Sequence, residues 1–303
     1  MTVDLADQLD LAPELRMACY SFREEFGSPP TVVWRVPGTV TLLASGPDLR
    51  LSVATPWGAI AVAVPRDDSA LELVLMERPG TREQLTVASA ASGEGPSWAG
   101  RGLALARGGA SLLVSTELPA GTGVGAAAAT ETAIRRCLDD CASAKTGVTD
   151  AARSAAAAAT GSGIPRAALG NWRLPLDLAA AELRLVVIDT RIRGTVMPAQ
   201  SEYSSLDAAA GAIGAGDMEA FGALLTAAHR ARPRNKAQDL AVTAALRSGA
   251  LGARAIADGP GRPALALVPV DRLPDVRASV SSTFARYGLR VPRLLTFTPA
   301  AGV

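Results

Sequence analysis

The stretch Leu118–Thr130, "LPAGTGVGAAAAT", constrains the chain more than any other. Upstream, "SLLVSTELPA" is apolar and rich in strand formers, and reads as a strand. Downstream, "GAAAATETAIRRCLDDCASA" consists of strong helix formers. A strand that feeds a helix through a glycine-rich turn aims successive backbone N–H groups at one spot, and the helix dipole adds partial positive charge there. Gly121, Gly123 and Gly125 allow left-handed dihedrals and close backbone approach, with Thr122 and Val124 between them. That chemistry suits a phosphate. It is not a P-loop, because no lysine follows the last glycine and no GK[ST] occurs. The same glycines would also serve a purely structural turn, and the loop alone does not separate the two readings.

The rest of the chain supplies the elements such a loop needs. Residues 4–26 read as a helix, with Leu11, Leu15, Ala18, Cys19 and Phe22 recurring at helical spacing. "TVVWRVPGTVTLLAS" reads as two strands around a Pro37–Gly38 break, and "LSVATPWGAIAVAVP" as another pair. "LELVLME" and "QLTVASA" read as short strands, and "SWAGRGLALARGG" as a helix. The alanine-rich stretch 146–172 carries little pattern and reads as a helix with loose ends. "ELRLVVIDTRI" is a buried strand, and 204–231 is one or two helices. After that come a helix at 237–249, strand–turn–strand at 253–270, a helix at 273–288 and a last strand from Arg293. Strands dominate early, and helix and strand alternate late, which predicts an α+β fold in two domains, 1–180 and 181–303.

Charge and rare residues exclude several function classes. Thirty basic against 29 acidic side chains leave a net charge of +1, which offers no field for nucleic acid or an anionic membrane. One histidine, His229, rules out a multi-histidine metal site. Three tyrosines and five phenylalanines make a base-stacking surface improbable. Cys19, Cys137 and Cys141 form no metal or disulfide pattern and read as buried hydrophobes of a cytoplasmic protein. The acidic start is unlike a secretion signal, and no apolar run is long enough to span a membrane. His229 reads as a cation at a helix C-terminus, "HRARPRNK" as a solvated helix end, and Asp189 as a strand-end hydrogen-bonding group.

The glycine loop resembles the second motif of the galactose/homoserine/mevalonate/phosphomevalonate (GHMP) kinases, and the galactokinases among them match best. Further segments carry the likeness in family order: "FREEFGSPPTVVWRVPGTVTLLA", "ELRLVVIDTRI" with "SEY", "GDMEAFGALLTAAHRA", "SGALGARAIADGPGRPALALV" and "VPRLLTFTPAAGV". The resemblance implies a ribosomal-S5-domain-2-like N-terminal domain, a ferredoxin-like C-terminal domain, and ATP with magnesium as the family's cofactors. It also implies a chain shorter than galactokinase, with the loss falling after Tyr203.

The departures fall on the chemistry. The family's Pro-Gly-Arg strand is here Pro37, Gly38, Thr39. Its Gly-Glu-His-Thr-Asp run survives only as Asp48. Its magnesium-binding serine falls within Gly125, Ala126 and Ala127, which carry no hydroxyl. Glu131, one turn on, is not promoted to a metal ligand. The Met-Asp-Gln run with the catalytic aspartate is missing, and Asp150 reads as a helix N-cap. The third motif, three glycines in the family, reads Ala257, Asp258, Gly259, with Gly261 close by. Phosphoryl transfer is positioning and charge stabilisation, so these losses imply little activity. The resulting expectation is a galactokinase-like pseudokinase with a regulatory, scaffolding or ligand-sensing role. It has no catalytic or metal-binding residue and weak or absent nucleotide binding. Thr39, Asp48 and Tyr203 line its candidate pocket, its partner is a protein or small molecule, and it binds neither nucleic acid nor membrane. A divergent small-molecule kinase, or a pathway enzyme with a repurposed pocket, is the alternative.

Overall fold

The computed structural model describes residues 12–45, 49–144, 166–169, 172–194, 206–231, 235–256 and 261–300. Among the described residues the first helix is α1 (Pro13–Phe26), with Pro13 at the N1 position that suits it; residues 4–11 of the expected helix lie outside the described residues. It ends at Gly27, whose φ of 74° closes the helix with a left-handed cap. β1 (Val32–Ser45) and β2 (Leu49–Pro65) are each one long strand rather than two. They pair antiparallel, and the expected break at Pro37–Gly38 becomes a register shift between Pro37 and Thr39, opposite Gly58 and Ala54; a second shift, not expected, lies between Thr41 and Leu43. β3 (Ala70–Leu75) and β4 (Arg82–Thr86) follow. The strand expected to continue from β4 instead turns into a short helix, α2 (Val87–Ala91). Thr86 and Ser89 form a reciprocal capping box there, so local hydrogen bonding overrides the β-rich composition. The helix expected over 97–109 shrinks to a 3₁₀ turn at Gly100–Leu105.

β5 (Ala110–Thr116) leads through the glycine loop into α3 (Ala126–Ala144), as the sequence pattern requires. β6 (Arg166–Leu169) and β7 (Trp172–Pro175) lie where a loose helix was expected. β6 pairs with Leu51–Val53 of β2, and that ladder decides the conformation where propensity does not. Among the described residues these seven strands form one sheet, β4-β3-β5-β2-β6-β7 with β1 also on β2, and there only β3–β5 runs parallel. β8 (Leu183–Asp189), β9 (Gly252–Ala255), β10 (Ala264–Pro269) and β11 (Arg293–Phe297) form a second, antiparallel sheet ordered β11-β8-β10-β9. The helices of this half are α4 (Leu206–Ala215), α5 (Met218–Arg230), α6 (Lys236–Arg247) and α7 (Leu273–Arg286).

Strand alternation sorts the apolar side chains into three cores. Ile60, Val62, Val33 and Leu113 face α1, where they meet Leu15, Cys19 and Phe22. Ala59, Ala61, Leu71, Leu112 and Val114 point the other way, into a core shared with α3, α4 and α5. Leu185, Val187, Leu265 and Leu267 of the second sheet join that same core. Their alternates Val186, Ile188, Ala264, Ala266 and Val268 pack under α6 and α7. Trp57 and Phe297 meet edge to face, 5.5 Å apart, and tie the two sheets.

The three cysteines are free and buried, as their spacing suggests. Burial holds the Cys137 thiol well above its usual value, and neighbouring Cys141 adds to the effect. The unfolded chain ionises this thiol from about pH 8.5, while the folded chain keeps it neutral. The stability it contributes is therefore complete below that pH and falls as pH rises further. Native protein at pH 7 should leave Cys137 unmodified by a maleimide, and labelling should track unfolding; rapid native labelling would contradict the burial.

Candidate functional site

The glycine loop is built by alternation. Gly121, Gly123 and Gly125 take φ of 71°, 76° and 71°. Between them Thr122 and Val124 turn inward and are buried. The Thr122 hydroxyl donates to the Pro119 carbonyl at 2.8 Å, which stabilises the turn from within. The Gly125 carbonyl accepts from Ala129 N–H at 2.9 Å and so begins α3. The first N–H groups of α3 have no carbonyl within their own helix to bond, and they sit where Ala126 and Ala127 stand.

Three separate segments clasp the loop. From β1, Thr39 N–H donates to the Val124 carbonyl at 3.0 Å. A Cβ on Gly38 would fall on that same carbonyl oxygen, which explains the glycine in the Pro-Gly-Thr turn. The Thr39 hydroxyl lies 2.9 Å from where Gly125 would carry a Cβ, so Thr39 stands at the head of the helix. From the third motif, Ile256 and Pro263 each come within 3.0 Å of the Cβ position of Gly123, and a Cβ on Gly261 would fall on the Gly121 carbonyl oxygen. The neck of this motif is held by Ile256 N–H to Pro263 O at 2.9 Å. Gln238, buried on α6, donates through Nε2 to Ile256 O at 2.9 Å and to Pro263 O at 2.7 Å.

The third segment follows β8 and was not singled out from sequence beyond Asp189. The buried Asp189 carboxylate accepts Arg191 N–H at 2.9 Å and grips Arg193 through both guanidinium ends, at 2.8 and 3.2 Å. Arg193 lies against the glycine loop, with Nε 3.0 Å from the Cβ position of Gly121 and Nη2 3.5 Å from Ala120 O. The Asp189 hydrogen bond raises the Arg193 guanidinium further above its already high value, which keeps the cation charged at any working pH. Arg193 also bridges Gly261 through the backbone, and Thr190 donates its hydroxyl to Arg262 O at 2.8 Å. The spacing Asp189-x-x-x-Arg193 was the available sequence signal; its meaning depends on the fold bringing residue 193 onto residue 121.

Gly121, Thr122, Gly123, Val124, Gly125, Thr39 and Gly261 are thus brought together. Asp48, Tyr203, Asp258, Gly259 and Asp150 lie outside the described residues. His229 differs from its expected part. Its Nδ1 accepts the Ala255 N–H at 3.3 Å and its Nε2 faces Asp239 at 3.3 Å, so the ring bridges α5, β9 and α6 rather than acting as a helix-end cation.

The residues present match half of what a magnesium-bound nucleotide asks for. The head of α3, three left-handed glycines and the Arg193 guanidinium suit phosphate oxygens. Positions 126 and 127 offer no oxygen ligand, and among the described residues no group of three or more His, Cys, Asp or Glu could hold a metal.

The architecture defines the class. The fold is that of the GHMP kinases: the galactose-bound galactokinase of Lactococcus lactis superposes with a TM-score of 0.77 at 18% identity, covering 95% of this chain and 99% of that one. A mevalonate kinase from L. major in complex with R-mevalonate gives 0.58 at 17% identity, over 91% and 100%. No family model matches the chain. The Streptomyces coelicolor galactokinase is 27% identical across an alignment of 374 positions that covers 93% of this chain and 96% of that protein. The chain is galactokinase-like in sequence, has the fold of the GHMP kinases, and is shorter than a typical galactokinase.

Proposed function

We propose that this galactokinase-like chain has lost sugar phosphoryl transfer and acts as a pseudokinase, in a regulatory, scaffolding or ligand-sensing role. The observation that carries the reading is the head of α3. The loop keeps its left-handed glycines and its clasp, yet Ala126 and Ala127 present methyl groups where the resemblance implies a metal-binding hydroxyl. Thr39, a neutral side chain, stands where the family resemblance implies an arginine. The glycines themselves are explained by packing, since each meets a neighbour where a Cβ would sit. They would persist without any ligand.

Galactose with ATP and magnesium should give turnover far below the roughly 1–100 s⁻¹ of ordinary kinases, by at least about three orders of magnitude. Phosphorylation of galactose or another sugar at about 1 s⁻¹ or faster would falsify the proposal. A divergent small-molecule kinase is the second reading, and Arg193 favours it, because it places a cation on the loop. A melting shift with ATP that needs magnesium would support that reading. Nucleotide binding is expected to be weak or absent. The change of sheet between β7 and β8 supports a domain boundary near residue 180. Three free buried cysteines suit a reducing cytoplasm.

A further inference from the structure

His229 is the only histidine in the chain, and it sits where α5 crosses β9. Three contacts join that helix to that strand in order. The backbones of Gly222 and Gly252 approach each other closely, the Thr226 hydroxyl accepts Ala253 N–H at 3.3 Å, and His229 Nδ1 accepts Ala255 N–H at 3.3 Å. The first two do not depend on pH. The third does, because Nδ1 accepts only while it carries no proton.

The far side of the ring fixes this tautomer. Nε2 faces Asp239 Oδ1 on α6 at 3.3 Å, so Nε2 carries the proton and Nδ1 the lone pair. A second proton would go to Nδ1, and two donors would then confront each other at Ala255. Asp239 lies on a helix and not on the strand, so it can hold the imidazolium after β9 has let go. Among the described residues, the other charges on α5, α6 and β9 near the ring are Arg230, Lys236 and Arg254, with Glu219 and Arg247 at the far ends of their helices. Lys236 stands by the Tyr287 ring, and Arg254 donates to Ala255 O and Leu42 O.

The next residue along β9 leads to the glycine loop. Ile256 lies 3.0 Å from the Cβ position of Gly123, its N–H donates to Pro263 O at 2.9 Å, and its carbonyl accepts Gln238 Nε2 at 2.9 Å. A shift at Ala255 is therefore passed to a residue that clasps the loop, while the start of β9 stays pinned at Gly222 and Thr226.

We propose that His229 is a pH-sensitive latch on the third motif, which releases Ala255 when protonated at Nδ1 and so loosens the clasp on the glycine loop. The released form takes up the proton more readily than the latched form, so acidification shifts the chain toward release and neutral pH restores the latch. The latch acts whichever function the loop serves.

The test is amide hydrogen exchange of the full chain, read residue by residue between about pH 7.5 and 5.5 and corrected for the intrinsic pH dependence of exchange. Carboxylates titrate mainly below this window, and the single histidine gives one ring signal whose shift reports its protonation. Protection of the Ala255 and Ile256 amides should fall by at least about tenfold as the ring signal titrates. The Thr39 amide, which donates to Val124 O of the loop, should follow with the same midpoint, while Val187 in the middle of the second sheet should keep its protection. His229→Asn offers an acceptor that cannot gain a proton, so its protection should no longer depend on pH; if that variant does not fold, the match of midpoints in the unaltered chain decides. Asp239→Asn removes the charge that holds the imidazolium and should move the ring and amide midpoints together to lower pH. The proposal is overturned if the ring stays neutral throughout the window, if Ala255 is equally protected on both sides of the ring's titration, if Thr39 stays protected while Ala255 opens, or if the pH dependence persists in His229→Asn.

Discussion

Gly252→Ala is expected to destabilise the chain by more than about 3 kcal/mol, read from the midpoint of urea unfolding. Gly252 opens β9, the edge strand of the second sheet, and α5 crosses it at Gly222. A Cβ on Gly252 would fall on the backbone of Gly222, and a Cβ on Gly222 would come 2.5 Å from Leu251 O. Every atom in the way is backbone, so no side chain can swing aside. The close approach also protects the sheet edge. Ala253 N–H donates to the Thr226 hydroxyl at 3.3 Å and Ala255 N–H to His229 Nδ1 at 3.3 Å, both from α5. The helix thereby satisfies the outward N–H groups that an edge strand would otherwise offer to another chain. Pushing α5 away breaks both bonds. Gly214→Ala is the control: it lies on α4 with open space around its Cβ position, and it should stabilise by about 0.5–1 kcal/mol. Equal small effects at the two sites would sink the argument.

Arg254→Ala should cost about 3–5 kcal/mol. Arg254 is 2% exposed and is the largest fully buried side chain among the described residues. It leaves β9 and reaches the first sheet, where Nη1 donates to Leu42 O at 2.8 Å, while Nε donates to Ala255 O at 3.1 Å. Truncation removes that link, leaves a cavity and strands a buried carbonyl. Arg254→Lys should recover only part of the loss, because a compact ammonium cannot reproduce the planar fork. The loss should hardly change with salt, since a buried group is poorly screened. A cost below about 1 kcal/mol in either low or high salt would mean the link between sheets is not made this way.

Much of the fold was legible because its determinants are local. The stripe Leu15, Ala18, Cys19, Phe22 placed α1, and the strand–glycine–helix order placed the loop between β5 and α3. The errors came where pairing or capping overrode propensity. Pro37–Gly38 looked like a break, yet β1 runs through it because β2 pairs on both sides. "RAAL" looked helical, yet the edge of β2 takes it up as β6. "TVAS" looked like strand, yet Thr86 and Ser89 cap a helix. At the site, Thr39 and the loop residues were legible one by one. Arg193 was missed because it lies 72 positions from Gly121, and no local pattern reports such a distance.

By itself the sequence determined that residues 121, 123 and 125 form a left-handed turn into a helix, because only glycine takes those dihedrals without strain, and that no hydroxyl follows. It could not say whether the glycines serve a ligand or the packing. Tertiary structure decided that each is needed for close approach, by Arg193, by Ile256 and Pro263, and by Thr39. It also placed the charge of Arg193 over the loop. Side chains far apart in sequence meet only when the sheets pack, and packing depends on the whole apolar pattern rather than on any one stretch of it.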